Sequence, residues 1–204
     1  MRPYRFISVW WLLTAAMGVA GPSSAQYLVV TKQQAAILNQ RAPDFTGTDG
    51  EGGQIRLRDF AGKMVVLEWA NAECHEVKKW YESGAMQQLQ REAAAKGAVW
   101  LSVISPVGDA KSQGVVTQPD GNPAHVLLDP TGAIGRLYGA IRMPYIVVVR
   151  PDGTVAYTGA IEGSFDDKSG AQPYAKQAIN AVSVGRSPYN PMTRAYGCKI
   201  GISP

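Results

Sequence analysis

In the stretch ANAECHEVKKWY, residues 70–81, a cysteine stands where a short apolar run gives way to helical spacing. Cys74 is followed at once by His75 and, a turn later, by Lys78 and Lys79. The N-terminus of a helix carries partial positive charge and free N–H groups, and both favour a thiolate over a thiol. Lys78 lies four residues on, over the same helical face, and adds positive charge, while Glu73 and Glu76 oppose it. The thiolate is the nucleophilic form of cysteine, so this position suits thiol–disulfide or thiol–oxidant chemistry. The plainer alternative is a buried, inert cysteine. Asn71 is placed to offer Cys74 a polar contact.

The chain has one other cysteine, Cys198, so at most one intramolecular bridge can form, and it would close a very long loop. A second feature is Pro144, which with Met143 leads straight into an apolar run, PYIVVV. Proline is tolerated at the first residue of a strand, and a cis bond there would point to function. Asn71, His75, Lys78, Met143 and Pro144 are thus the candidate substrate contacts around the two cysteines. His75 could join Cys74, Met143 or Cys198 as a soft copper(I) site. Adjacent Cys and His on one helix do not converge easily on one ion, however, and a solvated histidine is the simpler reading. No metal ligand set and no cofactor is expected. His125 reads as structural, and Trp69, Trp80, Tyr81 and Trp100 read as core packing.

Elements on both sides must position these groups. Residues 64–69 form a nearly continuous apolar run, the mark of a strand covered on both faces. Residues 74–96 read as helix, broken near Ser83 and Gly84. Apolar residues 99–104 give a second strand, HVLLD a short third, and DPTGAIGRLYG a turn with a short helix. PYIVVV and TVAYTG, joined by RPDG, make a hairpin, and YAKQAINAVSVG is the last helix. Upstream, QIRLRDF alternates at Ile55 and Leu57 as an edge strand would, TKQQAAILNQ could form a short helix, and TDGEGG is a turn. Strands alternating with helices and ending in a hairpin predict an α/β sheet with helices on both faces.

The first 25 residues stand apart. Arg2 and Arg5, an apolar run over residues 6–20, and Ser23 and Ala25 match a secretory signal peptide, leaving a mature chain of residues 26–204 with an extended C-terminal tail. The expected location is therefore exported, periplasmic or secreted, with no membrane contact after cleavage. An oxidising compartment would suit a disulfide. Removing the two arginines takes the formal charge from +4 to +2, and no long basic run interleaves with aromatics, so a nucleic-acid partner is not expected.

The motifs APDF, GKMVVLEWANAEC, NAECHEVKKWYESGAMQQLQ, MPYIVVVRPDG, YTGAIEG and the tail AYGCKIG together resemble the thioredoxin-like superfamily. More closely, they resemble its exported redoxin branch, related to peroxiredoxins and the AhpC/TSA group. The resemblance spans residues 42–201. It implies a thioredoxin-like fold, with a central mixed sheet and helices on both faces. It also implies that Cys74 is the attacking thiol and that Pro144 is the cis-proline beside it. Val77 stands where thioredoxins carry their second cysteine, which leaves Cys198 as the candidate resolving thiol. Substrates would be a protein disulfide or a peroxide, with an external thiol reductant. Three departures stand out: His75 and Glu76 replace Pro-Phe, Leu67 and Asn71 stand at the Pro and Thr positions of peroxiredoxins, and Pro144 stands near their Arg. The competing expectation is a non-catalytic binding module for a protein or copper, stapled by a structural Cys74–Cys198 bond.

Overall fold

A computed structural model describes residues 38–108, 124–163 and 171–201. The expected signal peptide and the helix expected in TKQQAAILNQ lie outside these residues, apart from the last three residues of the latter, which form a turn. Within them run β1 (Thr46–Asp49), β2 (Gln54–Arg56), β3 (Val65–Ala70), α1 (His75–Glu82), α2 (Ala85–Ala94), β4 (Val99–Ile104) and β5 (Ala124–Leu128). Then follow α3 (Ala133–Tyr138), β6 (Arg142–Met143), β7 (Tyr145–Val149), β8 (Val155–Gly159), α4 (Tyr174–Ser183) and β9 (Cys198–Lys199). Seven strands form one sheet in the order β2-β1-β5-β4-β3-β7-β8, while β6 and β9 pair apart from it. Strands β3, β4 and β5 are parallel, β7 runs against them, and β8, antiparallel to β7, runs with them again.

The apolar runs become interior strands because side chains alternate between two covered faces. Val65, Leu67, Trp69, Val147 and Val149 pack on one face with Ile134 and Tyr138 of α3. Val66, Ile146 and Val148 pack on the other, against Met86 and Leu89 of α2 and Ala178 and Ile179 of α4. The expected break at Ser83 and Gly84 separates α1 from α2, with Gly84 in the left-handed region at φ 74°.

Two upstream expectations change. The edge strand stops at Arg56 rather than continuing through Leu57, because the Asp59 carboxylate accepts the Arg56 N–H at 3.0 Å and turns residues Leu57–Phe60 into a 3-10 helix. A strand, β1, occupies TGTD, which carries no apolar alternation. It forms between β2 and β5, and Asp49 closes the hairpin by accepting the N–H groups of Glu51 at 3.0 Å and Gly53 at 2.6 Å.

One polar cluster ties α1 and α2 to the sheet. Glu68, fully buried on β3, accepts hydrogen bonds from Trp100 Nε1 at 2.8 Å, Ser102 Oγ at 2.9 Å and Tyr81 OH at 3.0 Å, with Gln90 Nε2 at 3.4 Å. Desolvation raises the Glu68 carboxyl above its ordinary 4.5, and the donors offset this only in part. Burial and the neighbouring Glu68 charge push the Tyr81 hydroxyl well up, so it stays a donor.

The sign of the resulting pH dependence follows from linkage. Above 4.5 the unfolded chain has released the Glu68 proton while the native state still holds it. Stability is therefore full below that value and is lost as pH rises through the native-state value. Urea unfolding near pH 5 and near pH 8 should show the parent losing more stability across the interval than Glu68→Gln. Equal losses in both proteins would exclude Glu68 as the source.

Candidate functional site

The site begins where β3 ends. Between Ala70 and α1 the chain turns through four residues, and Asn71 shapes the turn. Its backbone carbonyl accepts the Cys74 N–H at 3.0 Å. Its side-chain Oδ1 accepts the Glu73 N–H at 2.8 Å, an Asx turn, and its Nδ2 donates to the Ser105 carbonyl at 2.9 Å. Asn71 thus meets Cys74 through its main chain, with its side chain committed elsewhere. Behind it, Ser105 Oγ donates to Asp129 at 2.8 Å, and Asp129 takes the N–H groups of Ile134 and Gly135 at 3.1 Å each. A hydrogen-bonded line therefore runs from the turn before Cys74 to the start of α3.

Cys74 is the N-cap of α1, in extended conformation, and its carbonyl accepts the Lys78 N–H at 2.9 Å. It is fully buried and is bonded to Cys198, with the two Sγ atoms 2.07 Å apart and the Cα atoms 5.8 Å apart. Cys74 Sγ also lies 3.7 Å from the Met143 carbonyl oxygen. The Met143–Pro144 bond is cis, and both residues are buried. Val77, in the position of a local second cysteine, is buried beneath the helix.

Opposite Met143 stands the tail. β9 pairs antiparallel with β6, Met143 facing Cys198 and Arg142 facing Lys199. A catalytic Cys198 would be expected on a segment free to leave Cys74, yet this segment is docked along its length. Arg142 Nη1 donates to Gly197 O at 2.8 Å, Ile200 N–H to Ile141 O at 3.0 Å, Gly108 N–H to Lys199 O at 2.9 Å and Gly201 N–H to Pro106 O at 2.8 Å.

The remaining candidates divide. His75 is 80% exposed, its Nε2 lies 3.0 Å from Glu76 Oε1, and its Nδ1 lies 4.0 Å from the sulfur of Cys198 rather than beside Cys74. Lys78 is exposed. Trp69 belongs to the core around Cys74 and packs on Tyr145, the residue after Pro144, at 5.8 Å between centroids. Trp80, Tyr81 and Trp100 pack on the other face of the sheet, with Tyr81 also reaching the core around Cys74. His125 stacks at 6.2 Å on Phe60, away from the cysteines in register. Among the described residues, no group of three or more His, Cys, Asp or Glu converges as a metal site.

A cleft of about 730 Å³ opens beside Gly197, bordered by Arg142, Glu162, Arg194 and Tyr196. Burial and the charges of Glu162 and Glu76 push the Tyr196 hydroxyl up to about 12, so it remains a neutral donor there. Sequence reasoning did not single out Ser105, Asp129, Ile200 or Gly201. Only the pattern GCKIG, two glycines around Cys-Lys-Ile, carried a signal for the last two.

Comparison with known proteins adds to this geometry. The profile of the AhpC/TSA family matches residues 38–158, a span that takes in Cys74 and Pro144 and ends before Cys198. The thiol-disulfide oxidoreductase ResA of Bacillus thuringiensis subsp. konkukian is 31% identical over 125 residues, covering 61% of this chain and 70% of its own. Among solved structures, a hypothetical protein from Sinorhizobium meliloti 1021 superposes with a TM-score of 0.68 at 19% identity, covering 83% of this chain and 97% of its own. A protein assigned as the thiol:disulfide interchange protein DsbE of Chlorobium tepidum gives 0.50 at 25% identity, over 61% of this chain and 85% of its own. The thioredoxin-like fold implied by the sequence motifs is the fold observed.

Because Asn71 serves the turn from both ends of its amide, Asn71→Ala should cost about 1–3 kcal/mol, the range for stranding a buried polar partner. Urea unfolding checks the value. A loss within experimental error of zero would show that the turn before Cys74 does not need the side chain.

Proposed function

The chain belongs to the AhpC/TSA family, and from that premise we propose that it is an exported thiol-disulfide oxidoreductase in which Cys74 attacks and Cys198 resolves. One observation carries this reading. A cysteine at a helix N-cap, beside a cis-proline, is bonded to the only other cysteine of the chain. The ResA and DsbE proteins named among its relatives support the same chemistry.

In the reduced protein the free N–H groups of the first turn of α1 stabilise a Cys74 thiolate. That thiolate attacks one sulfur of a substrate disulfide, forming a mixed disulfide and releasing a substrate thiolate. Cys198 then attacks Cys74 Sγ, releases the second substrate thiolate and leaves the Cys74–Cys198 bond. The substrate is reduced by two electrons, and an external thiol reductant returns both cysteines to thiols. The Met143 carbonyl and Pro144 border the reacting sulfur, and the cleft lined by Arg142 and Tyr196 offers room for a polypeptide partner. His75 and Lys78 are exposed on α1, the helix that begins at Cys74.

Peroxide is the less supported substrate. Leu67 and Asn71 replace the Pro and Thr of the peroxide-binding pattern, and Asn71 spends its side chain on Ser105 and Glu73. Export rests on the basic, apolar and small-residue order of the first 25 residues, with the domain taking residues 26–204. A non-catalytic module with a permanent staple is the competing reading, and the docked tail is the observation in its favour.

Turnover of a disulfide-bonded reporter peptide with a dithiol reductant separates the two. Cys74→Ser should reduce turnover by at least about 10²-fold, and Cys198→Ser should accumulate a mixed-disulfide adduct visible by mass. Full activity in Cys74→Ser would sink the proposal. A bridge that opens only below about −300 mV in glutathione buffers would favour the staple.

A further inference from the structure

Resting on the oxidoreductase reading, we infer that the tail is seated by contacts of its own, independent of the disulfide, so that Cys198 stays beside Cys74 after reduction. Ile200, with Gly197 and Gly201, acts as a positioning residue. The two cysteines, 124 residues apart, then behave as a local dithiol pair.

Three sets of contacts carry this. First, Ile200 is completely buried in the same core as Cys74, Val77 and Met143, and it forms a bridge with Val107. A buried side chain two residues from the sulfur is an anchor that reduction does not touch. Second, the backbone of residues 197–201 is hydrogen-bonded to Arg142, Ile141, Pro106 and Gly108, and none of those bonds involves a sulfur. The glycines permit this approach. A Cβ on Gly201 would stand 2.1 Å from the Gly108 carbonyl oxygen, and one on Gly197, at φ 101°, would stand 2.3 Å from the Met143 carbonyl oxygen. Third, the tail is pinned again just upstream. Thr158 N–H donates to Pro191 O at 3.0 Å, Thr193 N–H to Thr158 O at 3.1 Å and Ala160 N–H to Thr193 Oγ1 at 3.0 Å. Only residues 194–197 separate this pin from Cys198. Cys198 is therefore tethered from both sides.

The consequence is an effective concentration. When Cys74 has taken up one glutathionyl group from oxidised glutathione and released one glutathione thiolate, Cys198 attacks Cys74 Sγ and releases the second. The net change is two protein thiols and one oxidised glutathione giving one protein disulfide and two glutathiones. The second step is unimolecular, and its equilibrium rises with the local concentration of Cys198.

The test is that equilibrium, measured on the full chain by thiol trapping in glutathione buffers, with amide hydrogen exchange of the reduced protein. Ile200→Ala and Gly201→Ala should each lower the equilibrium constant by about tenfold or more, which is about 30 mV for a two-electron couple. Ile200→Val should restore most of it, and Tyr189→Ala, at a residue 94% exposed, should leave it unchanged. The amides of Ile200 and Gly201 should stay protected in the reduced parent. Values for Ile200→Ala and Gly201→Ala within twofold of the parent, or full exchange of both amides on reduction, would overturn the inference. Because the readout uses glutathione alone, inactivity toward disulfide-bonded reporters would count against the proposed function without moving this result.

Discussion

The pairing of Met143 with Cys198 is the contact on which the site depends. It sets a short strand of the tail against the residue that precedes Pro144, and this brings one sulfur to the N-cap of α1. To bring the two sulfurs together an unfolded chain must close a loop of 124 residues. Closing only the few residues beyond the pin at Thr193 is easier by about 3 kcal/mol, since closure entropy grows with the logarithm of loop length. The fold thus converts a distant pair into a near one by docking the tail on β8 and again on the segment at Pro106.

Cys74 is held from the opposite direction by polar groups that have no contact with sulfur. Asn71, Ser105 and Asp129 link the turn before Cys74 to the start of α3, and Glu68 links α1 and α2 to β3 through Tyr81, Gln90, Trp100 and Ser102. Such clusters favour one arrangement because each buried donor or acceptor left unpaired is expensive. A helix whose N-cap must meet a cysteine from another part of the chain gains from that rigidity.

The sequence made the central sheet legible because its strands are buried on both faces. The runs around Leu67, Leu101 and Val147 could hardly be anything else at their length. The break at Gly84 was legible for the same kind of reason, since a residue in the left-handed region ends a helix at little steric cost when it is glycine. β1 was not legible. Its one buried residue is Gly47, where a Cβ would stand 2.7 Å from Leu127, so there is no apolar side chain to betray the strand. At the site, the place of Cys74 at a helix start and of Pro144 just before a strand was legible from residue type and position. The side-chain role of Asn71 was not, because a single asparagine before a cysteine does not say which of its groups turns inward. The tail was legible as a cysteine and illegible as a strand, since two paired residues leave no period to read.

Family membership and chemistry part company at Val77. A thioredoxin-like helix with a valine there cannot resolve a mixed disulfide within its own first turn, and the family match ends at residue 158, before the tail that carries Cys198. The second cysteine therefore stands on a segment that the family pattern does not cover. Placing it there has a physical consequence. A cysteine in place of Val77 would be buried with α1, whereas Cys198 is half-buried and follows Gly197, which borders the cleft lined by Arg142, Arg194 and Tyr196. A partner approaching the bridge meets Cys198 and His75 first and Cys74 only behind them. In the disulfide-bonded protein, then, the tail covers the sulfur of Cys74, and the accessible side of the bridge is that of Cys198.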